Sequence, residues 1–212
     1  MCLHTRLHDP PRSQVDLALN FGHSLLCRDG TPEAIYRRHT YITDALRDLI
    51  QHCNSANGPL PVNQLNREVD VGFRANGSVI KADIVHVENF DQPGAIKFVF
   101  DVTIVEPNNR HGIHRAEVGA AVEAAAADKN ADYSPVILQP NTKFVPFALD
   151  SNGHFGKHAT AYLNRLKIGN PAAGPRIKHF VQEVSYQLAK QTAIAAEAAR
   201  AAAYQAVWNR HP

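Results

Sequence analysis

FVFDVTIV, residues 98–105, is the most apolar of three consecutive strand-like runs, and an aspartate stands in its middle. Aromatic and β-branched residues over this length read as a strand buried on both faces. A carboxylate taken out of water costs several kcal/mol unless it is paired, hydrogen-bonded or neutralised. The segment therefore sets both the fold and the question of what balances Asp101.

Working outward, VNQLNREVDVGF (62–73) and SVIKADIVHV (78–87) alternate as strands, with RANG (74–77) as the turn between them and Asp91–Gly94 as the next break. The three strands are expected in one sheet. Ahead of them, residues 31–53 form a helix, with Thr31 as N-cap, Pro32 at the first helical position and Glu33 in the first turn. Ile35, Ile42, Ala45, Leu46, Leu49 and Ile50 recur along it at helical spacing. Beyond residue 105, the alanine-rich stretch 115–133 favours a helix, and PVILQ (135–139) and KFVPFAL (143–149) read as two short strands. ATAYLNRLKI (159–168) is a helix closed by Gly169, and residues 175–210 form a long helix lying across the domain or pairing with another copy.

Composition restricts the class of protein. The chain has 212 residues, 44% of them hydrophobic, enough for one domain with extensions. No run of 18 apolar residues predicts a membrane span, and the first residues lack a signal-peptide layout, so an intracellular protein is expected. Cys2, Cys27 and Cys53 make no disulfide framework. A net charge of +2 does not by itself argue for nucleic acid.

Asp83, in KADIV, lies eighteen residues before Asp101 across a turn, so neighbouring strands can bring the two acids together. Two converging carboxylates invite a hard divalent cation, Mg2+ or Mn2+ rather than Zn2+. The structural alternative is that one acid caps a turn or pairs with an arginine. In the following helix, Val118, Val122, Ala125, Lys129 and Tyr133 form one stripe at 100° per residue. Lys129 thus faces the sheet, either with its stem buried and its ammonium at the rim, or beside the carboxylates, where it can orient an attacking water.

KADIV, FDVTIV and DKNADY, in this order, resemble the restriction-like endonuclease domain of non-LTR retrotransposons, a branch of the PD-(D/E)XK nuclease superfamily. The resemblance implies an α/β fold with a mixed central sheet flanked by helices, followed here by the long C-terminal helix. It implies Asp83 and Asp101 as metal ligands, Lys129 as the catalytic lysine, Thr103 where the parent superfamily keeps lysine, and Tyr133 as the family tyrosine. The Val102 carbonyl would serve as a third oxygen. GHSLLCRDG (22–30) and RRHTYITDAL (37–46) are similar to the family's segments ahead of the core, which adds Arg38 and His39. Glu68, in LNREVDV, matches an acid on the preceding strand, and FVPFALDSNGHFGKHA (144–159) resembles the later strand and glycine turn. The motif proline is Ala82 here, and 212 residues leave no room for a reverse transcriptase, so a fragment, stand-alone protein or domesticated descendant is expected.

The implied activity is a metal-dependent DNA endonuclease leaving a 3′-hydroxyl and a 5′-phosphate, nuclear if the host is eukaryotic, and acting as a homodimer if both strands are cut. The domain division is 1–30 as a His/Cys segment, 31–168 as the nuclease and 175–210 as a helical extension. In the first segment His23 and Cys27 could bind Zn2+ as a degenerate knuckle, or be a surface histidine and a buried thiol. Arg110, His111, His114, Arg115 and Lys157 are candidate contacts to the DNA backbone. Two rivals remain open: an inactive nucleic-acid-binding module on the same scaffold, and a structural protein that self-associates through the long helix.

Overall fold

The computed structural model describes residues 32–54, 64–105 and 119–208. Helix α1 (Pro32–Asn54) leads into strands β1 (Leu65–Phe73), β2 (Val79–Glu88) and β3 (Ile96–Val105). Helix α2 (Ala120–Asp132), the single helical turn α3 (Ser134–Ile137), strand β4 (Thr142–Asp150) and helix α4 (Lys157–Gly169) follow. After a 3-10 turn at Pro171–Ala173, helix α5 (Gly174–Trp208) ends the described chain. The sheet runs β1-β2-β3-β4, with the first two pairings antiparallel and β3/β4 parallel. A parallel pair needs a crossover, and α2 with α3 lies in it.

One expected element changes type. PVILQ is not a strand: residues 134–137 turn helically, with Pro135 in the first turn, Val136 buried, and the Gln139 amide donating to the Val71 carbonyl. A short apolar run does not distinguish a strand from a buried helical turn, and proline suits the start of a helix. The expected strand 143–149 is present as β4, whose Pro146 is accommodated because β4 is an edge strand.

Helices cover both faces of the sheet. On one, Ile42, Leu46 and Ile50 of α1, Tyr162 and Leu163 of α4, and Phe180, Val184 and Leu188 of α5 pack on Ile84, Phe98, Phe100 and Phe147. The first half of α5 is thus part of the core. On the other face, Val122, Ala125 and Ala126 of α2 pack on Val105 and Ala148, while Tyr133 and Val136 pack on Val85 and Val99. Burial of each large apolar side chain contributes roughly 1.5–3 kcal/mol. Alanines on α2 let it lie close to the sheet, and Gly156 leaves room for Val122: a Cβ there would come within 2.8 Å of it.

The β1–β2 hairpin changes sides partway along. Residues two apart share a face in a regular strand, yet Ile80 and Ala82 pack with Val99 and Tyr133, whereas Ile84 packs with Phe98 and Phe100 across the sheet. Leu65 and Val71 of β1 are divided in the same way. The switch falls at Glu68 and Asp83, the one pair missing from an otherwise continuous register between Leu65 and Asp70. Glu68 takes φ 52°, the left-handed region that a non-glycine residue rarely adopts. Among the described residues, no helix is long and apolar enough to cross a membrane.

Candidate active site

Pairing between β2 and β3 ends at Ile84↔Phe100, while β3 goes on pairing with β4 as far as Val105↔Asp150. Asp83 and Asp101 are the next residues on the two facing strands. With the ladder interrupted, the Val102 N–H donates instead to Asp83 Oδ2 at 2.5 Å. His39 Nε2 reaches the same oxygen at 3.2 Å from α1. Asp83 Oδ1 has no hydrogen-bond partner among the described residues.

Asp101 is 8% exposed and held by three side chains. Lys129 Nζ lies 2.9 Å from its Oδ2 and 3.1 Å from its Oδ1. The Thr103 hydroxyl donates to Oδ2 at 2.9 Å, and the Tyr133 hydroxyl approaches Oδ1 at 2.9 Å. Tyr133 also contacts the Lys81 carbonyl on β2. A phenol carries one proton, so its O–H is shared between the two acceptors and ties β2, β3 and the end of α2 together. Its ring stacks on Phe144 at 4.2 Å between centroids. Burial pushes the Tyr133 phenol well above its ordinary range, and the Asp101 charge, the hydrogen bond to it and the Asp83 charge add to that. The phenol is therefore held as a neutral donor.

Charge converges here as well. The His39 imidazole is raised above its ordinary value, chiefly by the hydrogen bond to Asp83, against the opposing effect of burial. Negative charge on Asp83, Asp101 and Glu68 raises it further. Each of the two central carboxylates thus faces a cationic or readily protonated partner, His39 for Asp83 and Lys129 for Asp101. Attraction between such partly buried pairs exceeds that of exposed ones, and removing one partner leaves a costly unpaired charge.

The remaining sequence candidates divide. Thr103 joins the cluster through Asp101, and Val102 enters it through its N–H, a contact that the carbonyl expectation did not include. Glu68 is exposed at the left-handed position opposite Asp83. Arg38 is 7% exposed, turned into the protein rather than to solvent. Lys157 is exposed at the start of α4, where its backbone N–H donates to Glu123. His23, Cys27, Arg110, His111, His114 and Arg115 lie outside the described residues. Periodicity could not disclose that His39 grips Asp83, because the contact spans 44 residues between a helix and a strand. Among the described residues, no three or more His, Cys, Asp or Glu side chains gather in a metal-binding arrangement.

No protein-family model matches the chain. No curated protein is found to be similar to it either.

Proposed function

We propose that this chain is a metal-dependent DNA endonuclease of the PD-(D/E)XK kind, using Mg2+ or Mn2+ to hydrolyse phosphodiester bonds. The observation that carries the proposal is the convergence of Asp83, Asp101 and Lys129 where β2 and β3 part. Two carboxylates, a lysine and a neutral phenol gathered on a gap in the sheet have no need to be there for packing alone.

The donor set suits a hard cation. Asp83 and Asp101 would supply carboxylate oxygens, one oxygen of Asp83 has no partner among the described residues, and the interrupted ladder beside Val102 leaves main chain next to the pair. Mg2+ retains several waters and takes substrate oxygens, so two protein carboxylates suffice. When bound, such an ion supplies Lewis-acid polarisation of the phosphate and a more acidic coordinated water.

The chain's own groups do the rest. Lys129, held to Asp101, orients the attacking water and offsets the negative charge that builds on the pentacovalent phosphorus. Thr103 and Tyr133 donate to Asp101 and keep its carboxylate in one orientation, and the Val102 N–H does the same for Asp83. His39, beside Asp83, would supply a further donor for a phosphate oxygen of the substrate.

Supercoiled plasmid incubated with purified protein and Mg2+ or Mn2+ tests the proposal. Nicks that ligase can reseal, abolished by Asp101→Ala in a protein that still folds, are expected. Plasmid retained but never cut would leave the binding-module reading in its place, and equal nicking by wild type and Asp101→Ala would overturn the catalytic assignment.

A further inference from the structure

Past the point where β1 and β2 change sides, the hairpin carries apolar groups on its solvent side. Phe73 is 65% exposed and Val79, its cross-strand partner, 38%. Phe73 has no aromatic partner among the described residues. Lys81 is exposed and two residues from Val79, so it shares that face. Residues 69–82 include two cations, Arg74 and Lys81, against one carboxylate, Asp70.

The tip is built as a rigid support. Arg74 N–H donates to the Ser78 carbonyl and Gly77 N–H to the Arg74 carbonyl, with Gly77 at φ 80°. Asn76 accepts from both the N–H and the hydroxyl of Ser78. The Arg74 guanidinium donates to the Val79 carbonyl, which uses one of its five donors. Below the tip, Gly72 sits close to Val136 and Ile80, so the base of the hairpin is packed against α3. An aromatic ring held out into water on such a support is not explained by folding.

Its position relative to the site narrows the occupant. Val79 is four residues from Asp83, at most about 14 Å along β2. The Lys81 carbonyl already touches Tyr133, and the Arg74 charge is close enough to be felt at the Tyr133 hydroxyl. A polyanion whose scissile phosphate lay at Asp83 and Asp101 would run past Lys81 and Arg74. Its bases would then meet Phe73 and Val79, exposed apolar groups of the hairpin.

We propose that the β1–β2 hairpin is a base-stacking element, with Phe73 lying against a nucleobase of the DNA strand next to the scissile phosphate and Arg74 and Lys81 holding the adjoining backbone. Aromatic stacking tolerates any base, because every base has a π-face. The proposal rests on the nuclease reading and adds to it how the substrate strand is held.

The test places the sole tryptophan of the chain at the tip by combining Trp208→Phe with Phe73→Trp. Fluorescein-labelled single-stranded DNA is then added without divalent cation, and anisotropy and tryptophan emission are followed together. Saturable binding with quenched emission is expected, together with about five- to 150-fold weaker binding by Phe73→Ala, the range that base–aromatic stacking covers. Binding with unquenched emission would overturn the stacking role while leaving the nuclease reading intact. No binding at all would overturn the stacking role, while the plasmid assay decides separately on the nuclease reading. If Phe73→Ala instead changes a dimer to a monomer with DNA affinity unaltered, the face is a contact between copies and the stacking proposal fails.

Discussion

The two ends of β2 and β3 each bury titratable groups, and they do so in opposite ways. Where the strands part, Asp101 is enclosed with an ammonium and two hydroxyls, and Asp83 with a histidine. At the other end, His86 is 1% exposed with a ring stacked on Phe98 at 6.2 Å and its Nδ1 3.3 Å from the Tyr162 hydroxyl. Burial drives the His86 imidazole down to about 4, an effect only partly opposed by Glu88. This histidine is kept neutral and serves packing. Burial of an ionisable group is therefore not the mark of a site. What distinguishes the Asp83/Asp101 end is that two carboxylates meet an ammonium and an imidazole there, the imidazole raised above its ordinary value by its hydrogen bond to Asp83.

That contrast can be broken most severely by Asp101→Ala, which should lower cleavage by about a thousand-fold or more, the upper range for loss of one preorganised electrostatic group. His86→Phe should leave the same plasmid assay within about twofold, since His86 packs against Phe98 and Tyr162 and not against the carboxylate pair. Lys129→Met should cost about a hundred- to a thousand-fold in turnover, with circular dichroism showing the fold retained. If Lys129 only screened Asp101, the loss would be far smaller and stability would carry most of the effect.

The expectations from sequence succeeded where one period ruled. Val122, Ala125, Lys129 and Tyr133 came out on one stripe of the helix facing the sheet, and the apolar run around Asp101 came out as an interior strand. They failed where tertiary context ruled. PVILQ lacks a period long enough to choose between strand and turn, and Pro135 tips it to helix. The side switch at Glu68 and Asp83 depends on a left-handed glutamate that alternation could not foresee. For the same reason the grip of His39 on Asp83, the Val102 N–H contact and the exposed Phe73 were not legible as parts of one region.

Smaller effects sharpen the comparison at its other end. His86 has a native value near 4 against 6.5 when exposed. Between those values the unfolded chain binds a proton that the native one does not, so stability falls as pH drops from about 6.5 to about 4. The contribution is about 3 kcal/mol at most. Urea titrations across that window should show the slope in wild type and a flatter one in His86→Phe; equal slopes would mean that His86 is not held neutral. Tyr133→Phe should cost about 1 kcal/mol of stability, the worth of one buried hydrogen bond, measured by thermal melting, with activity reduced less than in Lys129→Met.

Mn2+ binding, followed by loss of the free-ion electron paramagnetic resonance signal, tests the central claim most directly. Wild type and His86→Phe should take up the ion with the same stoichiometry, and the folded double variant Asp83→Ala/Asp101→Ala should not. Equal uptake by the double variant, or none by wild type in the presence of DNA, would contradict the assignment of these two carboxylates as the metal-holding pair.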